Sequence, residues 1–323
     1  MPRNLTSIWA MVIGATFFWG SNFNAASQLA GQLPPLTAAA ARFAIAVAIL
    51  LLMRALAGRA ESHLDPRQLL ALVLLGLIGV FGFNFAFFTA LHCTSALNGA
   101  LVMAWSPLLT TLLSAALLGT AITRQQLAGI AIAFAGVALV ITGGHFADMH
   151  IARGDLWMIL ACVLWSLYSV LVRRFVADVP PLQQARWTIS AGAAALISIA
   201  FWQEQPLLQI VRQPLPVYLI LSWMAVCGTV LAYLFWLRGL QVLGPQRAAI
   251  AFNLVPVFTL LVNLVLGQWP QPAQYAGLLL VISGVLVASG VIAALVQTKT
   301  PVVTANVCVE ANVSGNTNAC SNG

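Results

Sequence analysis

The side chains with which this chain could do chemistry are few, and their placement excludes most reactions. All seven carboxylates (Glu61, Asp65, Asp148, Asp155, Asp178, Glu204 and Glu310) fall in loops, in the tail or at the ends of apolar runs, so none stands where a buried proton relay would need it. The five cysteines, Cys93, Cys162, Cys227, Cys308 and Cys320, show no CxxC and no Cys/His ligand spacing, which indicates neither a metal site nor a disulfide framework. Cys162 and Cys227 sit inside apolar runs as small packing residues. No HExxH, GxSxG or paired acids occur, so neither an enzymatic activity nor a cofactor is expected. His92 titrates in a useful range but sits at a turn.

The cations tell a similar story. Arg42 and Arg186 lie just inside apolar segments, where they either snorkel to the interface or serve a substrate carboxylate or phosphate. Each is close to its segment end, and snorkelling is the expectation. No Lys lies in any apolar segment, whereas a carrier of organophosphates would gather more buried positive charge.

The elements that must position these residues follow from composition. With 61% hydrophobic and 7% charged residues, the chain has far fewer charges than the roughly 25% of a soluble domain. Ten apolar segments of spanning length run at 7–30, 37–55, 69–91, 95–118, 126–143, 155–173, 182–202, 216–237, 247–267 and 273–296. A backbone in lipid must satisfy its own hydrogen bonds, which leaves helices or a closed barrel. Barrel strands would alternate in polarity over about ten residues, and nothing here alternates. The first segment follows the length of a span rather than of a cleaved signal. The expected fold is therefore an all-α integral membrane protein of ten transmembrane helices. Residues 298–323 turn abruptly to Val, Asn, Thr, Ser and Gly and read as a disordered polar tail; the acceptor pattern Asn312-Val313-Ser314 within it is discounted.

The net charge of +7 reads as topology, not as a nucleic-acid surface, because the arginines are spread between apolar runs. With the amino terminus inside, the inner loops collect Arg3, Arg54, Arg59, Arg67, Arg124, Arg173, Arg174, Arg238, Arg247 and Lys299, against Arg153 and Arg212 outside. That bias places both termini in the cytoplasm.

The sequence also repeats. Trp19 precedes Pro34-Pro35 by the same interval as Trp165 precedes Pro180-Pro181, 146 residues later. Leu91 stands to Pro107 as Leu240 stands to Pro256, at 149, and Gly129 and Gly136 recur as Gly277 and Gly284, at 148. Two units result, 1–148 and 149–297. Each has five spans, an odd number, so the halves are inverted in the membrane and can exchange conformations, the basis of alternating access. Pro107 and Pro256 each remove a backbone hydrogen bond within a span and are candidate hinges. The glycine pairs are seven apart and share a helix face, suited to an internal seam or to a homodimer contact.

Taken together, Trp19-Gly20-Ser21-Asn22-Phe23, Pro34-Pro35 with Arg42-Phe43, Ser106-Pro107-Leu108-Leu109, Leu117-Leu118-Gly119, Gly129-Ile130-Ala131 and Ala135-Gly136-Val137 form one half of a pattern. Trp165-Ser166, Pro180-Pro181, Val255-Pro256-Val257, Leu266-Gly267 and Tyr275-Ala276-Gly277 through Gly284-Val285 form the other. Over residues 7–296 the chain resembles the drug/metabolite transporter superfamily, specifically its ten-span exporters built from two EamA domains. It departs from that pattern at Thr120 and Gln268, where the family often carries an acidic residue.

The resemblance implies two inverted five-helix EamA repeats around a central substrate cavity lined by spans one, three, four, six, eight and nine. It carries that role to Trp19, Asn22, Asn84, Trp105 and Ser106 in the first half, and to Trp165, Tyr168, Tyr233, Trp236 and Asn253 in the second. The competing reading of each amide is interhelical glue, and that of each Trp is lipid-facing packing. Trp202 and Trp269 lie at span ends as interfacial belt residues. The function implied is export of amino acids or related small neutral or zwitterionic metabolites across a bacterial inner membrane. With no buried acid, facilitated diffusion or exchange fits better than proton coupling. A membrane-embedded enzyme or assembly factor is the alternative; the enzyme lacks the motifs it would need, and assembly would not need two interchangeable halves.

Overall fold

The computed structural model describes residues 5–29, 31–56, 63–93, 102–145, 147, 153–267, 269 and 271–289. The polar tail 298–323, the loop acid Glu61 and the opening residues of the fourth span (95–101) lie outside them. Among the described residues every regular element is helical. Within the described residues, eight helices are long and apolar enough to cross a membrane, and Ser106–Leu118 is a shorter apolar one. Leu5–Leu29 adds a 25-residue helix, whose second half is diluted by Ser21, Asn22 and Asn24, all buried within the protein.

Helix starts follow the prolines. Pro35, Pro66, Pro181, Pro245 and Pro272 each open a helix, where the missing N–H costs nothing and the fixed φ is already helical. Thr123 opens the fifth span with a capping box: its Oγ1 accepts from Gln126 N at 3.1 Å, and Gln126 Oε1 accepts from Thr123 N at 3.1 Å. Gly119 and Gly143 end the fourth and fifth spans at φ of 67° and 58°, a region that favours glycine.

Spans three and eight are not uniform helices. Span three runs Pro66–Gly76, a π-helical turn Leu77–Gly82, then Phe83–Cys93. Span eight runs Leu215–Ala225, a π-helical turn Val226–Leu231, then Ala232–Leu243. The two wide turns sit at repeat-equivalent positions, 149 residues apart. Spans four and nine are also interrupted, just before their prolines. Trp105 N bonds back to Val102 O at 3.1 Å ahead of Ser106–Leu118, and a 3₁₀ turn Ala251–Leu254 separates Pro245–Ile250 from Val255–Val265. Pro107 and Pro256 thus open new helical segments at a break. The expected kink is a discontinuity.

The packing respects the repeat. Span one packs on eight and nine, and span six packs on three and four. Span two meets eight as span seven meets three, while two pairs with seven and five pairs with ten. Exchanging the halves maps this pattern onto itself. Because spans one and six each pack against the other half, the centre is built between the halves rather than within either. Spans five and ten form the closest pair. A Cβ on Gly277 would lie 2.7 Å from Gly136 O, and one on Gly284 would lie 2.6 Å from Gly129 O. These glycine faces are therefore an internal seam. Trp202 and Trp269 stand 82% and 81% exposed at helix ends, as belt residues do.

Candidate functional site

Spacing within each helix puts the candidate aromatics on common faces: Trp165 and Tyr168 are three apart on span six, and Tyr233 and Trp236 are three apart on span eight. The fold brings these faces together with Trp19. Trp19 and Trp165, repeat partners, meet edge-to-face with ring centroids 5.2 Å apart at 87°. Trp236 lies 5.2 Å from Trp19 and 5.7 Å from Trp165, and Tyr233 lies 6.2 Å from each. Tyr168 is 5.8 Å from Trp165 and 6.5 Å from Tyr233. Two rings not singled out in the sequence complete the group: Phe252 at 5.7 Å from Trp19, and Phe83 at 5.5 Å from Trp165. In this conformation the rings touch one another, and Trp165, Tyr168, Tyr233 and Trp236 are all buried.

The π turns serve this centre. Trp19 Nε1 donates to Gly228 O at 3.1 Å, so a carbonyl of the widened turn fixes the indole. One turn further along span one, the Asn22 amide occupies the space beside Gly228 that a side chain would fill, and on span six the Tyr168 ring does the same beside Gly79. Asn22 and Tyr168 are repeat equivalents, as are Gly79 and Gly228. A glycine inside each wide turn therefore receives the residue three after each repeat tryptophan. This pairing was legible in principle, since all four positions recur at the repeat interval.

The other candidates lie around the rings. Asn84 Nδ2 donates to Val80 O at 2.6 Å, and its Oδ1 accepts from Arg42 Nη2 at 3.0 Å. Arg42 thus differs from its expectation. Seven residues into its helix, it turns inward to span three instead of snorkelling, because the Asn84 amide offers an acceptor on the inner face. Ser106 Oγ and Ser166 Oγ are 3.3 Å apart, linking spans four and six. Asn253 is buried in the 3₁₀ turn with both amide atoms unpartnered, and Asn22 Oδ1 is likewise unpartnered; a buried polar group without a partner costs about 1–3 kcal/mol. Trp105 stands apart from the rings, 49% exposed and edge-on to Phe134 at 5.4 Å.

A cleft of about 480 Å³ opens at the ends of spans four, six, eight and nine, lined by Leu118, Thr120, Arg173, Arg174 and Val242 to Pro245. None of the candidate residues lines it. Its arginines are engaged with helix-end carbonyls, Arg173 with Gln241 O and Arg174 with Leu117 O, as cations near helix C-termini tend to be.

Two interlocked, duplicated helical halves with a polar and aromatic centre between them define a membrane transporter of the inverted-repeat class. The chain belongs to the EamA-like transporter family, matched over residues 6–142 and again over residues 152–290. It is 38% identical over 283 residues to the uncharacterized transporter YyaM of Bacillus subtilis (strain 168), covering 87% of this chain and 92% of that one. It is 32% identical over 198 residues to the aromatic amino acid exporter YddG of Ancylobacter novellus, covering 59% and 68%. A protein of known crystal structure superposes with a TM-score of 0.75 at 25% identity, over 90% of this chain and 99% of its own.

Proposed function

We propose that this chain exports amino acids and related small neutral or zwitterionic metabolites across a bacterial inner membrane by alternating access. The observation that carries this reading is the aromatic centre, to which Trp19 contributes from one half and Trp165, Tyr168, Tyr233 and Trp236 from the other. Flat, polarizable rings suit an apolar or aromatic side chain, while Asn22, Asn84, Ser106 and Asn253 around them supply polar contacts. The name of the Ancylobacter relative points to the same substrate class. Trp105 is the candidate least supported by its position.

In this reading each half (1–148 and 149–297) adopts in turn the conformation of the other, and the breaks at Pro107 and Pro256 are the hinges. Both termini lie in the cytoplasm, an orientation that the arginine bias supports. The chain needs no cofactor, binds no nucleic acid and catalyses no reaction. Transport proceeds by facilitated diffusion or exchange.

The test is metabolite profiling of spent medium from cells overexpressing the protein, its Trp165→Phe variant or its Trp165→Ala variant. An amino acid enriched by the parent, retained with Phe and lost with Ala at equal membrane content, is the expected result. Equal medium composition in all three, with the protein present in the membrane, overturns export.

A further inference from the structure

Arg42 poses a question that the fold alone does not answer. It lies seven residues past Pro35, about 10 Å into its helix at 1.5 Å per residue. An ionisable group at such depth faces a partner or a pathway. Among the described residues its guanidinium donates to an amide oxygen, Asn84 Oδ1 at 3.0 Å. Glu204, which caps the start of this helix, spends its oxygens on the backbone N–H of Leu36 at 3.3 Å and of Thr37 at 2.6 Å.

What Arg42 has instead is a neutral holder. Asn84 accepts from Nη2, and Asn84 is itself oriented by its own donation to Val80 O inside the π turn of span three. The guanidinium lies 4.5 Å from the Phe43 ring, and its Nε is buried with no acceptor. Asn84 follows Phe83 in span three, and the Phe83 ring lies 5.5 Å from Trp165 in the aromatic centre. The side chain is therefore a cation whose hydrogen-bond partner and ring neighbour among the described residues, Asn84 and Phe43, are neutral. Guanidinium is permanently charged, and its planar fork matches a carboxylate through two parallel hydrogen bonds.

We propose that Arg42, positioned by Asn84, binds the carboxylate of the transported solute, whose aromatic or apolar body lies against Tyr233 and Trp165. This rests on the export reading above and narrows it to solutes that carry a carboxylate beside an apolar group.

The experiment uses the purified full chain. In proteoliposomes, uptake of labelled phenylalanine is competed with 3-phenylpropionate (carboxylate, no ammonium), phenylalanine amide and phenethylamine (no carboxylate). In detergent, the thermal shift given by 3-phenylpropionate is compared with that given by 3-phenylpropionamide. The expected result is competition and stabilisation by the carboxylates alone. Arg42→Gln should lower phenylalanine flux about 10-fold or more, the effect of losing a charge-assisted pair, and abolish the carboxylate shift. Arg42→Lys should retain part of both. Stabilisation by acid and amide alike, or Arg42→Gln flux within about twofold of the parent, would overturn the proposal; so would a complete absence of carboxylate-induced stabilisation. If Arg42→Gln does not fold, the parent's acid-against-amide comparison decides alone. If the parent moves no amino acid yet shows an acid-specific shift that Arg42→Gln lacks, the export reading falls and the carboxylate site stands.

Discussion

At Gly228 the absence of a side chain decides where an amide sits. The Asn22 side chain fills the volume that any Cβ there would need, and the Gly228 carbonyl holds the Trp19 indole. Gly228→Ala should therefore lower thermal stability in detergent, by about 1–3 kcal/mol if the packing cannot relax. The double variant Gly228→Ala with Asn22→Ala should recover much of that loss, since the second change removes the obstructing group. Additive losses would show that the two residues do not share one space. The equivalent contact of Tyr168 with Gly79 predicts a larger penalty for Gly79→Ala, because a buried ring gives way less easily than an amide.

At the scale of elements, the breaks before Pro107 and Pro256 and the seam between spans five and ten make opposite predictions. Pro107 cannot donate to Met103 O, and that carbonyl is left facing Cys162 Sγ at 4.0 Å. Restoring a backbone donor with Pro107→Ala favours a continuous helix. The proline variants should keep or raise their melting temperature while losing transport in proteoliposomes, if the breaks act as hinges. Unchanged flux would make them static bends. In the seam, Gly284→Leu should instead unfold or strongly destabilise the protein, because the Gly129 and Ala133 backbones occupy the space required. Its thermal unfolding curve reads this directly.

For the whole molecule, the proposed orientation of the two inverted halves makes a direct prediction. The proposed topology, argued from the arginine distribution, has Arg67 and Arg238 on the cytoplasmic side and Arg212 on the other. In a background with the native cysteines replaced, Arg212→Cys should react with an impermeant maleimide in intact cells, and Arg67→Cys only after permeabilisation. The reverse pattern would invert the topology and, with it, the side from which the arginine-lined cleft at the ends of spans four, six, eight and nine is reached.

Membrane insertion, the helical spans and the duplication were legible in the sequence, because lipid permits few backbone solutions and because a repeat interval survives in residue spacing. The same interval picked out Trp19 and Trp165, which the fold does bring into contact. What the sequence left open was settled by neighbours distant along the chain. The π turns of spans three and eight have no local signal beyond a glycine, since they exist to admit Tyr168 and Asn22 from the opposite half. Phe83 and Phe252 look like any lipid-facing rings until two halves interlock around them. The glycine faces fit a seam or a dimer equally well until spans five and ten are seen to be adjacent. Arg42 read as a snorkelling residue because its depth was judged from one helix alone. Only the tertiary structure supplies the acceptor, Asn84, that turns its charge inward, and an acceptor on another span leaves no trace in local pattern.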